Sequence, residues 1–458
     1  MTTGATYPLD ALGTDGEYRT RRREVIADTA GVPAALLSIV PRLFVSRSLA
    51  IQRATRPLSS PWRSPALSKA ADNFANSVIA GLSFDDYVAL TCRVSGLPMT
   101  VARAGALAVA DGLETALDAI GAAKPVGAWL DWRDVPGSGG AVWARRGEVL
   151  AVHAPGNAPG VNGLWPQALA LGYRVAVRPS RRDPFTAHRL VHALRKAGIR
   201  PVDVLYLPTD HAGADELIHR ADLSMVYGGD DVVARHAGDP TVLTNGPGRS
   251  KILITAEHDW RDDLDMIVDS IAALGGTACV NVTAVLYEGD AAPLAHAIAE
   301  RLGRRVALPN TADEAVLPTM PVDRALALAR HLAVKASGTV ALLGAGQVVA
   351  ELGDGYAALR PAVHLLDHAD AAKLNVELPF PCVWVSPWSR ADGLAPLRNS
   401  LVLTVLTDDD DLVDDLVAEP TVTNVYRGAV PTHHAAAHIP HEGFLADFLM
   451  RNKGFVGA

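Results

Sequence analysis

Cysteine is scarce in this chain: Cys92, Cys279 and Cys382 are the only three among 458 residues. Three thiols so far apart make neither a disulfide framework nor a zinc cluster, which suits a reducing compartment. Long apolar runs are missing too. No uncharged stretch is long enough to span a bilayer, and Met1 to Arg23 lacks the apolar centre of a secretory leader. A cytoplasmic protein without a membrane span is expected. The excess of one charge sign is modest, a net −8, and gives no electrostatic reason to expect nucleic acid as a partner. Two catalytic signatures are absent: no credible G-x-G-x-x-G fingerprint and no G-x-S-x-G elbow after a strand. Histidines are present, but none has zinc-ligand spacing. His433, His434, His438 and His441 share one segment that reads as a solvated or interfacial loop, so no metal is expected. With 49% hydrophobic and 20% charged residues, the chain is globular and large enough for several cores.

The stretch up to about Ala122 reads as helices joined by loops. Ser83 stands where it can cap a helix running to Arg93, and Pro57 to Pro65, with three prolines and three serines, reads as an irregular loop. Two alternating segments around Pro136-Gly137-Ser138-Gly139-Gly140 predict a β-hairpin over about 129–146, its tryptophans packing on another surface. Short apolar strands then alternate with helices. Val149 to Val152, Val175 to Val177, Val204 to Leu207 and Leu223 to Val226 are separated by helical stretches, which predicts a parallel sheet. Lys251 to Ile254, Val282 to Tyr287, Thr339 to Leu343 and Val383 to Val385 begin a second α/β set. The acidic run Asp408 to Asp411 reads as a solvated helix N-terminus.

Cys279 is the residue with the most to say. It follows Gly275-Gly276-Thr277-Ala278, between a helical stretch ending at Leu274 and the strand Val282 to Tyr287. A thiol framed by two glycines at a helix-to-strand junction can meet a ligand, and the glycines let backbone N–H groups approach a developing oxyanion.

Further segments keep it company in order. His153-Ala154-Pro155-Gly156-Asn157-Ala158-Pro159 follows a strand, as do Val175-Ala176-Val177-Arg178-Pro179-Ser180-Arg181 and Val226-Tyr227-Gly228-Gly229-Asp230. Glu377-Leu378-Pro379-Phe380-Pro381 and Val422 to Val425 come later, and Pro440 to Phe455 closes the series. Taken together, from Val149 onward, they resemble the aldehyde dehydrogenase superfamily. The likeness is greatest to its acyl-thioester-reducing members, such as the fatty acyl reductase component of bacterial bioluminescence.

That resemblance implies an α/β fold with two Rossmann-like domains, a hairpin and a C-terminal tail for oligomerisation. Residues 1–250 would hold the N-terminal helical region and the dinucleotide-binding domain, 251–425 the thiol domain and 426–458 the tail reaching a partner subunit. It casts Cys279 as nucleophile and Asn157 as oxyanion donor. Arg178, Ser180 and Arg181 would hold the adenosine end of a nicotinamide cofactor, Gly228 and Gly229 its pyrophosphate, Glu377 and Phe380 its nicotinamide side. Arg181 stands where NAD-preferring members carry glutamate, so NADP(H) is expected over NAD(H).

One departure shapes the expected activity. Hydrolytic members carry a glutamate base upstream of the cysteine, whereas no carboxylate occurs here from Thr241 to Ala256. Without that base, water attack on an acyl-enzyme should be slow. NADPH-dependent reduction of an acyl thioester to an aldehyde is therefore the expected reaction, with coenzyme A or a partner protein carrying the acyl group. The resemblance leaves room for a separate acyl-activating or acyl-carrier protein and for a homo-oligomer. Two alternatives stay open: an NAD(P)-dependent aldehyde or semialdehyde dehydrogenase running oxidatively with a base from elsewhere, and a non-catalytic relative acting as a binding subunit.

Overall fold

The computed structural model describes residues 6–56 and 60–457. Two seven-stranded sheets organise it. The first runs in the order Val242–Asn245, Leu223–Tyr227, Val149–His153, Arg174–Arg178, Val204–Tyr206, Ala11–Gly13 and Gly16–Tyr18. The five strands after residue 148 are parallel, as their spacing predicts, and Ala11–Gly13 adds to the edge antiparallel. The second sheet orders Val340–Leu343, Ala362–Leu365, Cys382–Pro387, Val282–Tyr287, Ser250–Ile254, Ser400–Leu406 and Val422–Arg427. Its central strands are buried on both faces, which is why Ser400–Leu406 reads as a continuous run with all seven residues inside.

The direction of the chain decides where a site can form. The first sheet extends from Val149–His153 to Arg174–Arg178 on one side, and later elements add Leu223–Tyr227 on the other. Loops at the carboxyl ends of these strands part there, the place where open α/β sheets bind ligands. Asn245 ends the edge strand, and a short link carries the chain to Ser250, the start of a strand in the second sheet. The carboxyl ends of the first sheet therefore meet the amino ends of the second. Cys279 precedes Val282–Tyr287, and Glu377 precedes Cys382–Pro387.

Several local expectations need correction. Residues 6–40 form strands, not helices: Tyr7–Leu9, Pro33–Ser38 and Arg23–Ala27 make a small sheet, and helices start at Arg42. Part of Pro57 to Pro65 lies outside the described residues. The remainder opens the helix Ser60–Asn76, with Pro65 in its early turns. The hairpin is not formed. Ala128–Trp129 runs parallel to Gly140–Arg145, and the antiparallel partner of Gly140–Arg145 is the C-terminal strand Met450–Phe455. A 3₁₀ turn at Trp132–Asp134 lets the intervening chain loop back instead of reversing. The tail also packs on its own chain, with Leu445, Ala446 and Leu449 in the same core as Trp165 and Tyr173. Two capping expectations match the structure. Ser83 Oγ accepts from Asp86 N at 3.0 Å, and Asp409 caps Asp410–Ala418 by accepting from Leu412 N at 3.1 Å.

Candidate active site

The thiol is set on a strained loop. Leu274, Gly275 and Gly276 have φ of +55°, +71° and +65°, three consecutive left-handed residues between the helix Leu264–Ala272 and the cysteine. Glycine accepts that conformation freely, whereas Leu274 holds it at a cost of about 1 kcal/mol or more. Gly276 is further confined because a Cβ there would lie 2.4 Å from Pro381 N. Asn281 fastens the loop from below: its Oδ1 accepts from Ala278 N at 2.9 Å, and its Nδ2 donates to Ala273 O at 2.8 Å. Ser250 Oγ donates to the Cys279 carbonyl at 3.0 Å. Beneath the floor, the buried Lys251 Nζ donates to Asn375 Oδ1, Ser400 Oγ and the carbonyls of Arg249 and Arg398, all within 3.1 Å. Burial pushes the Lys251 ammonium down to about 7.

Cys279 opens into a cavity of about 1180 Å³ between the two sheets. Of the residues singled out by sequence, Asn157, Arg178, Ser180, Arg181, Gly228, Gly229 and Glu377 all line it with Cys279. Phe380 does not. It is 1% exposed and packs in the core with Trp384 and Leu378, because the turn after Pro379 sends it inward, while Leu378 and Pro379 border the cavity.

Asn157 is tied to the thiol loop. Its Nδ2 donates to Thr277 O at 3.2 Å, and Thr277 Oγ1 donates back to Asn157 O at 3.4 Å. One amide hydrogen of Asn157 remains for an oxyanion beside Cys279. Asn157→Ala is expected to lower kcat by about 10²-fold with the fold intact, the usual cost of losing one such donor. Steady-state kinetics with a thermal melt as control check this, and an unchanged kcat would make the turn purely structural.

The Glu377 carboxylate accepts from the backbone N–H of Arg249 at 2.9 Å, and burial raises it above the usual range. The Arg249 side chain grips Asp230 with two bonds of 2.6 and 2.7 Å, linking the second sheet to the helix that follows Gly229. Arg181 is committed elsewhere than expected, in a two-bond pair with Glu24 at 2.8 and 2.9 Å, both side chains near 40% exposed.

Two residues at the thiol lie in the segment read from sequence as a tail bound for a partner. His441 Nε2 is 3.4 Å from Cys279 Sγ, and the His441 carbonyl accepts from Asn424 Nδ2 at 2.6 Å. His441 thus touches the thiol and is not in a solvated loop. Glu442 lines the cavity with Gly246 and Asn245. Burial, together with the charge of Glu377, pushes Glu442 up to about 8. Burial raises the Cys279 thiol well above its ordinary value, and the charges of Glu442 and Glu377 add to this. Nothing local marks His441 or Glu442 in the sequence; only the return of the chain over the second sheet brings them there.

The cavity suits a dinucleotide. Four polar atoms of residues that line it are buried without partners: His153 Nε2, Arg178 Nε, Asn245 Nδ2 and Arg249 Nε. Unpaired buried donors such as Arg178 Nε, Asn245 Nδ2 and Arg249 Nε are costly, and an anionic, acceptor-rich ligand would satisfy them. Gly156 and Gly228 keep the walls thin, since a Cβ on either would lie 2.2 Å from Ser180 Oγ and 2.4 Å from Val232 Cγ2 respectively.

Thiol, amide donor and dinucleotide-sized cavity define a class that sequence comparison identifies. The chain belongs to the aldehyde dehydrogenase family, whose sequence profile matches residues 51–445, a family of NAD(P)-dependent oxidoreductases acting on aldehydes. It is similar to 2-hydroxymuconic semialdehyde dehydrogenase of Pseudomonas sp. (strain CF600), 26% identical over 385 residues, 77% of this chain and 76% of that one. A shorter match, 24% over 152 residues, joins 31% of this chain to 29% of a probable methylmalonate-semialdehyde/malonate-semialdehyde dehydrogenase [acylating], mitochondrial, from Caenorhabditis elegans. Indole-3-acetaldehyde dehydrogenase, solved with NAD+, has the same fold: TM-score 0.83, 15% identity, with 99% of this chain and 97% of that one covered. Among the described residues, no helix is long and apolar enough to cross a membrane.

Proposed function

We propose that the protein oxidises an aldehyde, in the semialdehyde class of its relatives, through a covalent Cys279 adduct, and that Glu442 is the base that releases the acyl group to water. The observation that carries this reading is the placement of Glu442. Its carboxyl lines the cavity that Cys279 opens into, together with Gly246 of the link that itself has no carboxylate. The first sheet with its helices serves as the cofactor-binding unit and the second as the thiol-bearing unit. When bound, NAD(P)+ accepts the hydride. Arg178, Gly228 and Glu377 would hold it, and Asn157 with the Cys279 backbone N–H would hold the oxygen of the tetrahedral adduct.

A base acts as its carboxylate, and burial holds Glu442 protonated until about pH 8. Acid formation should therefore climb as pH rises through about 8. Glu442→Gln should flatten that rise and lower steady-state turnover by about 10²-fold or more. A first-turnover burst of reduced cofactor should survive, because the adduct still forms and only its release is blocked. Steady-state turnover equal to the parent's would remove Glu442 from the release step.

A second reading, transfer of the acyl group to or from a thiol, is favoured by the carboxylate-free stretch from Thr241 to Ala256, where Asn245 faces the cavity. In reverse this is NADPH-dependent reduction of an acyl thioester. Reduced-cofactor consumption with a panel of acyl-CoA thioesters, set beside acid formation without added thiol, separates the two.

For the cofactor, preference for NADP(H) rests on Arg181. An exposed pair such as Arg181–Glu24 holds weakly, so a 2′-phosphate can take the guanidinium. The expected ratio of kcat/KM is about tenfold in favour of NADP+. Equal values would mean that Arg181 stays with Glu24. Trp132, Val456 and Trp129 are exposed on or beside the sheet that Met450–Phe455 edges, which supports an oligomer contact there.

A further inference from the structure

The thiol poses a problem for the chemistry assigned to it. Cys279 is half-buried at the wall of the cavity and faces two carboxyl groups, Glu442 from the tail and Glu377 from the turn before Cys382–Pro387. Glu377 when ionised, and Glu442 once it ionises, oppose formation of a thiolate, and among the described residues no Lys or Arg side chain hydrogen-bonds the sulfur. A thiol in that setting reacts only if its proton leaves as the new bond forms. One side chain touches the sulfur in a position to take it.

We infer that His441 is the general base for Cys279, accepting the thiol proton at Nε2 during attack on the aldehyde. This rests on the reading that Cys279 is the nucleophile. The Sγ–Nε2 separation of 3.4 Å is hydrogen-bond length for sulfur. The ring is anchored through its own backbone, because Asn424 Nδ2 donates to both Leu401 O at 2.9 Å and His441 O at 2.6 Å. Burial lowers the imidazole's proton affinity, so it enters the cycle neutral and with a lone pair free. In the step itself the S–H bond breaks, its proton passes to Nε2, and sulfur bonds to the carbonyl carbon. The carbonyl π pair moves to oxygen beside Asn157. The imidazolium offsets the charge on the adduct oxygen or returns its proton to that oxygen, so no net charge is buried. His441 and Glu442 thereby divide the work: the histidine serves adduct formation and the carboxylate its release.

Alkylation by iodoacetamide, located at Cys279 by peptide mapping, tests the base directly, without substrate or cofactor. In the unaltered protein the rate should hold level from about pH 7.5 down to pH 6.5 and fall below that as imidazole protonates. His441→Gln should slow alkylation at pH 7 by about 10²-fold, with a rate that rises in proportion to hydroxide. The burst of reduced cofactor should slow in parallel, unlike in Glu442→Gln. A parent rate that rises tenfold per pH unit across that range would overturn the inference, and so would equal alkylation rates in parent and His441→Gln. The nucleophile reading fails separately, if Cys279→Ala still reduces the cofactor in the presence of aldehyde.

Discussion

Cys279→Ser should reduce aldehyde oxidation by about 10⁴-fold or more, the largest loss of any substitution considered, since nucleophile removal collapses the whole catalytic unit. A hydroxyl is similar in shape, so Asn281, Ser250 and the strained residues before the cysteine keep the loop as it is. What disappears is a polarisable sulfur that His441 can deprotonate. The alcohol is a far weaker acid, and the imidazole beside it has its basicity reduced by burial. Cofactor binding should stay within about twofold of the parent, because no cofactor contact depends on the sulfur. Titration of cofactor fluorescence and rapid-mixing kinetics read the two quantities independently. Near-normal turnover would end the covalent mechanism.

Gly248→Ala should also be severely damaging, although the residue carries no side chain and bears no chemistry. A Cβ built there would sit 1.7 Å from the carbonyl oxygen of Cys279 and 2.7 Å from its Cα. These are backbone atoms on both sides, so no rotamer change relieves the overlap. The cysteine loop must move by roughly the clash itself, about 1 Å or more, and displacements of that size cost about 10²-fold or more in rate. The same shift would strain the Ser250 bond to Cys279 O and the Leu401 bond to Gly248 O. Measured turnover should fall by two to three orders of magnitude, on the order of that misplacement cost, with a lowered melting temperature. Full activity in this variant would show that the cysteine loop tolerates more movement than its hydrogen bonds suggest. A bulkier side chain could only worsen the clash, which distinguishes Gly248 from glycines such as Gly121 or Gly454, where a Cβ meets nothing.

The sequence by itself determined the parts of this protein whose causes are local. Alternation of short apolar strands with helices over residues 149–227 is enough to specify a parallel sheet, because a strand buried on both faces has to be apolar throughout. Ser83 and Asp409 announce helix starts because a side-chain oxygen two or three residues ahead of an orphan N–H satisfies it anywhere. Gly275 and Gly276 mark the thiol for the same kind of reason: consecutive left-handed residues need glycine, and the requirement is written at the position that has it.

Only the tertiary structure decided the rest, where the partner lies far along the chain. Alternation around a glycine-rich turn reads as a hairpin, but Gly140–Arg145 finds its antiparallel partner more than three hundred residues away in Met450–Phe455. The short strands at the N-terminus form because an edge of the first sheet and the adjoining Pro33–Ser38 offer ladder bonds that no local propensity records. The site follows the same rule. Cys279, Asn157 and Glu377 are legible one at a time, since each sits on a turn whose shape its neighbours set. Arg181 is equally visible, yet its pairing with Glu24 depends on a strand 157 residues earlier. His441 lies 162 residues from the thiol it touches. The missing carboxylate on the Asn245 link is plain in the sequence. That Glu442 enters the same cavity is not, because a side chain's chemistry is local but its delivery to a site depends on how the whole chain packs.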